Sequence, residues 1–203
     1  MINKIEFCHE DSVFCKSRFY TCCDILYKRK PFCFLQGVNK LVGDIDDGNF
    51  AVSYLLSMYD KINKKHMFYS QPDLKVNDEE TSLKELTKYC CYLDEREYPL
   101  FKSKRKTVRQ LIEKGLKKSG IKKTCQEICD LFLLTDCRLD RPIYAVGNER
   151  FRSMAAVGYA HGKEVFCFPW LSKKMFNYYT NNILWLLDIL EELKVIAIVP
   201  VGK

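Results

Sequence analysis

The stretch Leu41–Tyr59, LVGDIDDGNFAVSYLLSMY, constrains the fold more than any other part of this chain. An apolar strand end runs into a loop bounded by Gly43 and Gly48, and an amphipathic pattern follows, with Phe50, Tyr54, Leu55 and Met58 recurring every three to four residues. Strand, glycine-bounded loop and helix in that order are the elements of a phosphate-binding loop of the form G-x-x-x-x-G-K-[ST]. The lysine and hydroxyl that should follow the second glycine are replaced by Asn49 and Phe50. A lysine there neutralises phosphate and a hydroxyl holds Mg²⁺; an amide and a phenyl ring do neither.

At 203 residues the chain has room for one domain with a full core, or one domain with a small inserted lobe. No apolar run approaches the roughly 18 to 20 residues that cross a bilayer, and the longest candidate, Val195–Val201, is strand-sized. The first residues, MINKIEFCHEDS, carry acids and no apolar core of a secretory signal, so a cytoplasmic protein without membrane insertion is expected. Eleven cysteines are present without any C-x-x-C spacing. In a reducing compartment they serve as small buried apolar residues. Cys125 and Cys129, one helical turn apart, are the one pair placed to share a metal, with Cys137 or His9, but no metal site is expected.

The net charge of +7 is uneven. Ten basic residues lie between Lys102 and Lys123 against the single acid Glu113, with Lys102, Lys104, Arg105, Lys106 and Arg109 at the front of the block. Such a block suits a solvated helix face or an anionic partner such as nucleic acid. It lacks the interleaved aromatics of a base-stacking platform.

Residues 1–30 show no clean period, so short strands and a strand with a helix remain open alternatives there. Phe32–Leu35 and Val38–Val42 are strand-prone, His66–Tyr69 is a candidate short strand, and Thr81 opens a short helix. Periodicity predicts helices over Lys106–Leu116 and Lys123–Leu134, then a small-residue helix after Gly147–Glu149 closed by His161–Gly162. Glu164–Phe168, Lys174–Leu193 and Val195–Val201 complete a strand–helix–strand series, the pattern of parallel strands with crossover helices.

With the glycine-bounded loop and the second half taken together, the chain resembles the ATP-binding domain of ABC-type ATPases from about Leu35 to Val201. LVGDIDDGNFAVSYLLSMY matches the P-loop, KYCCYLDEREYPLFKSKRKTVRQLIEKGL the Q-loop region, AVGNERFRSMAAVGYAHGKEVFCFPWLS the signature loop with its helix and Walker B strand, and LKVIAIVPV the last core strand. The strongest match is Gly147-Asn148-Glu149-Arg150-Phe151-Arg152, beside the family's glycine–glycine–(glutamate or glutamine)–x–x–arginine. The resemblance implies an α/β, P-loop NTPase-like fold spanning 1–203, with a mostly parallel sheet, crossover helices and an inserted helical subdomain at about 95–145.

The departures each remove a piece of the chemistry that the resemblance would imply. Asp44, Asp46 and Asp47 put three negative charges where a polyphosphate would sit. One like-charge pair at about 4 Å costs roughly 4 kcal/mol at an effective dielectric near 20, about half of a micromolar binding energy. In solution such carboxylates act as turn and helix-start material. The Walker B carboxylates are replaced by Pro169 and Trp170, the Q-loop glutamine by Asp94 or Glu95, the signature serine by Val146, and the switch histidine by Pro200 or Val201. None of His9, His66 and His161 falls at the switch position; His161 is expected to cap a helix C-terminus.

The expected function is therefore a catalytically degenerate relative acting as a binding or regulatory subunit or an inhibitor. It would dock as a homodimer or on an active ABC-type ATPase, presenting Gly147, Asn148, Glu149 and Arg152 across the interface. No catalytic residue and no cofactor are expected, with ATP and Mg²⁺ held only atypically or by a partner subunit. Gly43, Gly48, Asn49 and Phe50 mark the degenerate loop. Two alternatives stand beside it. One is a nucleic-acid or nucleoprotein binder using the basic block. The other is an atypical nucleotide-binding enzyme using Asp44, Asp46, Asp47, Glu149 and Glu164 as carboxylates.

Overall fold

The computed structural model describes residues 1–16, 23–27, 30–62, 72–102 and 105–203. Lys104, His66 and the 66–69 strand candidate lie outside the described residues. The chain begins with β1 (Lys4–Cys8), β2 (Val13–Lys16), β3 (Cys23–Leu26), β4 (Phe32–Leu35) and β5 (Gly37–Val42), followed by α1 (Asn49–Ile62). Next come β6 (Asp73–Val76), β7 (Glu79–Glu80), α2 (Leu83–Thr87) and β8 (Cys90–Tyr92). A helical stretch holds α3 (Val108–Ser119), α4 (Cys125–Leu131), α5 (Asp136–Leu139) and α6 (Arg150–Ala160), with 3₁₀ turns at 99–101, 143–145 and 147–149. The chain closes with β9 (Val165–Cys167), α7 (Lys173–Tyr178), α8 (Thr180–Glu192) and β10 (Ile196–Val201).

The expected parallel sheet is present in the order β5-β10-β9-β8, every neighbouring pair parallel. A second, antiparallel sheet, β4-β1-β6-β7, and the β2–β3 hairpin lie beside it. Among the described residues of 1–30 the regular elements are the short strands β1, β2 and β3, the first of the two alternatives left open above. Between β8 and α6 every described element is helical. The predicted helix over Lys174–Leu193 is two helices, α7 and α8, meeting at Tyr179.

α1 departs from expectation in an informative way. Its sequence pattern implies one buried face, yet every residue from Asn49 to Tyr59 is buried. A helix becomes apolar all round when it is covered all round. Here β8, β9 and β10 lie against α1 on one side, and β2, β3 and α2 also contact it. Its two serines are satisfied internally: Ser53 Oγ donates to the Phe168 carbonyl at 2.6 Å, and Ser57 Oγ to the Ser53 carbonyl at 2.8 Å.

Candidate functional site: the glycine loop and the strand ends around it

In a parallel α/β sheet, ligands bind at the carboxyl ends of the strands. Here that edge gathers the loop after β5, the Phe168–Trp170 segment after β9, Asp94–Glu97 after β8, and the residues after β10. Gly43 N–H donates to the Val201 carbonyl at 2.9 Å, fixing the loop to the end of β10. A side chain at Gly43 would collide with Asn49 and Asp47, which is why the loop starts on a glycine. Asn49 is buried and its amide donates to the Leu41 carbonyl at 3.4 Å; Phe50 is fully buried.

Within the loop the carboxylates act on the turn rather than on the helix. Asp47 accepts from the Asp44 N–H at 2.8 Å, and that hydrogen bond, with the Lys203 ammonium at 3.4 Å, holds Asp47 below the usual carboxylate range. Lys203 also faces Asp44 at 3.8 Å, Lys30 donates to the Asp47 carbonyl oxygen, and Asp46 is exposed.

The start of α1 is capped from elsewhere, correcting the expectation that the loop aspartates supply helix-start material. Asp24, on β3, is 1% exposed. Its Oδ1 accepts from Gly48 N–H at 2.9 Å and from Ile25 N–H at 2.8 Å, and its Oδ2 from Ala51 N–H at 3.1 Å. The first N–H groups of a helix have no intrahelical acceptor and form the usual anion site of a phosphate-binding loop. In this chain a carboxylate of the chain itself occupies them. Burial pushes the Asp24 carboxyl above its ordinary value, opposed by these N–H donors. Gly48 has φ +82°, and a β-carbon there would sit 3.0 Å from the Ile25 carbonyl oxygen. The glycine that elsewhere lets a backbone approach phosphate here lets β3 approach the loop.

The other strand ends are closed by the chain itself. Phe168 and Pro169 are buried, and Leu171 pairs with Val201 beyond β9. The Q-loop candidates are engaged: Asp94 is buried and accepts from the N–H of Arg96 at 2.7 Å, and Glu95 pairs with Arg150 at 2.9 Å. Glu97, missed in the sequence, is buried and accepts from the Tyr54 hydroxyl at 2.5 Å. Burial, followed by that bond, raises the Tyr54 hydroxyl far above its ordinary pKa.

The signature-like segment divides into an outer and an inner half. Gly147 (φ +64°) and Asn148 are exposed, and Asn148 bonds to Arg138. Glu149 is buried, accepting from Thr135 Oγ1 at 2.9 Å and Thr135 N–H at 3.2 Å and pairing with Arg138 at 3.3 Å. Arg152 is buried too, donating to the Leu133 carbonyl at 2.6 Å and lying over Trp185. Glu149 and Arg152 thus hold α6 to the helical stretch, and of the four signature-like residues only Gly147 and Asn148 are exposed. Val146, at the signature serine's place, is also buried.

Of the basic block, Lys102 and Arg105 are exposed and Lys106 half-buried, while Arg109 pairs with Asp140 at 2.9 Å. His161 follows α6, but burial lowers its pKa below the ordinary value and its ring donates to the Leu111 carbonyl. His161 is the C-cap of α6, as expected, its backbone N–H donating to the Val157 and Gly158 carbonyls, while its ring ties α6 to α3. Burial raises the Cys129 thiol to about 12, and among the described residues no group of three or more His, Cys, Asp and Glu side chains is placed to hold a metal.

No family model matches the chain, and neither does any curated protein. Solved structures do. A protein from Pyrococcus furiosus described as an ABC transporter ATP-binding protein superposes with a TM-score of 0.60 at 16% identity, over 98% of this chain and 90% of that one. The chain has the fold of an ABC-type ATP-binding domain. A bacterial Atm1-family ABC exporter with ATP bound matches at a TM-score of 0.58 and 13% identity, over all of this chain and 34% of the exporter. This chain therefore spans about a third of the exporter's length. The glycine loop of this chain lies between the core strand β5 and the helix α1. The Asp24 contact was not legible in the sequence: a lone acid in CCDILY gives no sign of its partners 24 to 27 residues away.

Proposed function

We propose that this chain is an ABC-type fold without ATP chemistry of its own, serving as a cytoplasmic binding or regulatory subunit, or an inhibitor, through protein–protein contacts. The observation that carries this reading is the Asp24 carboxylate on the N–H groups of Gly48 and Ala51. A phosphate and this carboxylate compete for the same donors, and removal of the carboxylate would still leave Asn49 and Phe50 in place of a phosphate-binding lysine and a Mg²⁺-binding hydroxyl. The partner is a second copy or an active ABC-type ATPase, met through the exposed Gly147–Asn148 turn. Among the described residues no helix is long and apolar enough to cross a membrane. Isothermal titration with ATP, with and without Mg²⁺, together with a phosphate-release assay, tests the proposal. No Mg²⁺-dependent binding and no release are expected; saturable Mg²⁺-dependent binding with turnover overturns it.

A second reading, a basic nucleic-acid or nucleoprotein binder, draws on the exposed cations Arg105, Lys114, Lys117, Lys122 and Lys123. It requires binding that weakens steeply with salt and is lost when Lys104, Arg105 and Lys106 are neutralised.

A further inference from the structure

At the opposite end of the parallel sheet from the glycine loop lies an open cavity of about 760 Å³, within the roughly 300–1,000 Å³ range of small-molecule sites. The topology makes the placement clear. Lys88 and Tyr89 immediately precede β8, and Lys163 stands two residues before β9, so the cavity sits where those parallel strands begin.

Its lining is one-sided in charge. Lys84, Lys88, Lys118 and Lys163 border it together with His161, and among the described residues no carboxylate does. Of the four ammonium groups only Lys88 has a carboxylate partner among the described residues, Glu85 at 2.6 Å. Lys163 donates to the Lys88 carbonyl oxygen and is otherwise left without an anion among the described residues. Burial lowers its pKa, and the neighbouring Lys118 lowers it further. A half-buried cation without a counter-charge, as Lys163 is, is costly to fold around, and with the exposed Lys84, Lys88 and Lys118 around the same cavity it favours an anion. The remaining lining joins the hydroxyl residues Ser57, Thr87 and Ser119 to apolar and aromatic ones, among them Met58, Tyr98 and Leu100. Tyr98 is fixed by a hydrogen bond from its hydroxyl to the Cys90 carbonyl at 2.7 Å, and α1 departs from helical geometry at Met58, where it borders the cavity.

We infer that this cavity is a binding site for a phosphate-bearing small molecule, its phosphates met by Lys118, Lys163 and their neighbouring lysines and its apolar or ring portion by Met58, Tyr98 and Leu100. The site is separate from the glycine loop and needs no Mg²⁺-binding residue.

Sodium pyrophosphate, titrated into the full chain at constant ionic strength with sodium chloride as control, tests the inference by calorimetry and thermal shift. Saturable binding is expected. Lys163→Met and the exposed Lys118→Gln should each weaken it about tenfold or more, the factor that follows from losing one charge-assisted hydrogen bond. Lys203→Gln, at the glycine-loop end, should leave it unchanged, which separates this site from the loop. Absence of saturation above the chloride control overturns the inference. So does pyrophosphate binding that survives both lysine substitutions. Binding of a duplex oligonucleotide without pyrophosphate saturation also overturns it, in favour of a nucleic-acid surface.

Discussion

At the carboxyl end of the parallel sheet the Asp24 carboxylate is enclosed by backbone N–H donors, whereas at the amino end the Lys163 ammonium faces a cavity with a single carbonyl acceptor. The first end is where the fold ordinarily places phosphate, and here it is internally satisfied: Asp47 meets Lys203, Glu97 meets Tyr54, and Ser53 meets the end of β9. The second end has no assigned role in the motif pattern, yet it holds the uncompensated charge. The difference teaches that motif position and chemical readiness are separate properties. A loop can keep its path while its donors are spent, and an unremarked face can hold the groups a ligand needs.

Substitutions should separate the two ends, the largest effect first. Phe50→Ser, which reinstates the hydroxyl of the phosphate-binding motif, removes a fully buried ring and should cost about 3–5 kcal/mol, read as a fall in the urea midpoint. An effect under about 1 kcal/mol would show that the loop end is not packed core. Asp24→Ala uncaps α1 and should cost about 0.5–2 kcal/mol. Sulfate should then recover part of the loss in this variant and not in the native chain. Lys163→Met should move the other way, leaving stability unchanged or raising it by up to about 1 kcal/mol, because it removes a partly buried cation lacking a counter-ion. A clear destabilisation there would erase the contrast between the ends.

The smallest expected effect concerns His161. Burial depresses its pKa, so the folded state holds the neutral ring. Its stabilising contribution is complete above its unfolded value near 6.5 and is lost as pH falls through the folded value. Urea midpoints recorded from neutral pH downward should therefore drop less steeply for His161→Gln than for the native chain.

The core of this fold was legible because local pattern and tertiary role agree there. The strand before Gly43, the small-residue helix after Gly147 and the apolar runs at 165–167 and 196–201 behave as their periodicity implies. The misses share a cause, which is dependence on distant segments. α1 reads as one-sided because the hairpin that covers its other face lies more than 20 residues earlier with no clean period of its own. Glu149 and Arg152 look like surface residues in a short motif, and only the approach of Thr135 and Leu133 makes them interior. The lysine cavity collects residues from Lys84 to Lys163 that no linear charge count would group, and of its four lysines the basic block supplied only Lys118.

The central claim, that the donors of the α1 N-terminus are already taken, is tested most directly by following the backbone amide resonances of Gly48 and Ala51 in an ¹⁵N-labelled chain during titration with Mg²⁺-ATP. Both should stay in place at saturating nucleotide in the native chain, even if signals near Lys163 move. A saturable shift of the Gly48 and Ala51 amides would mean that phosphate displaces Asp24, and would contradict the account.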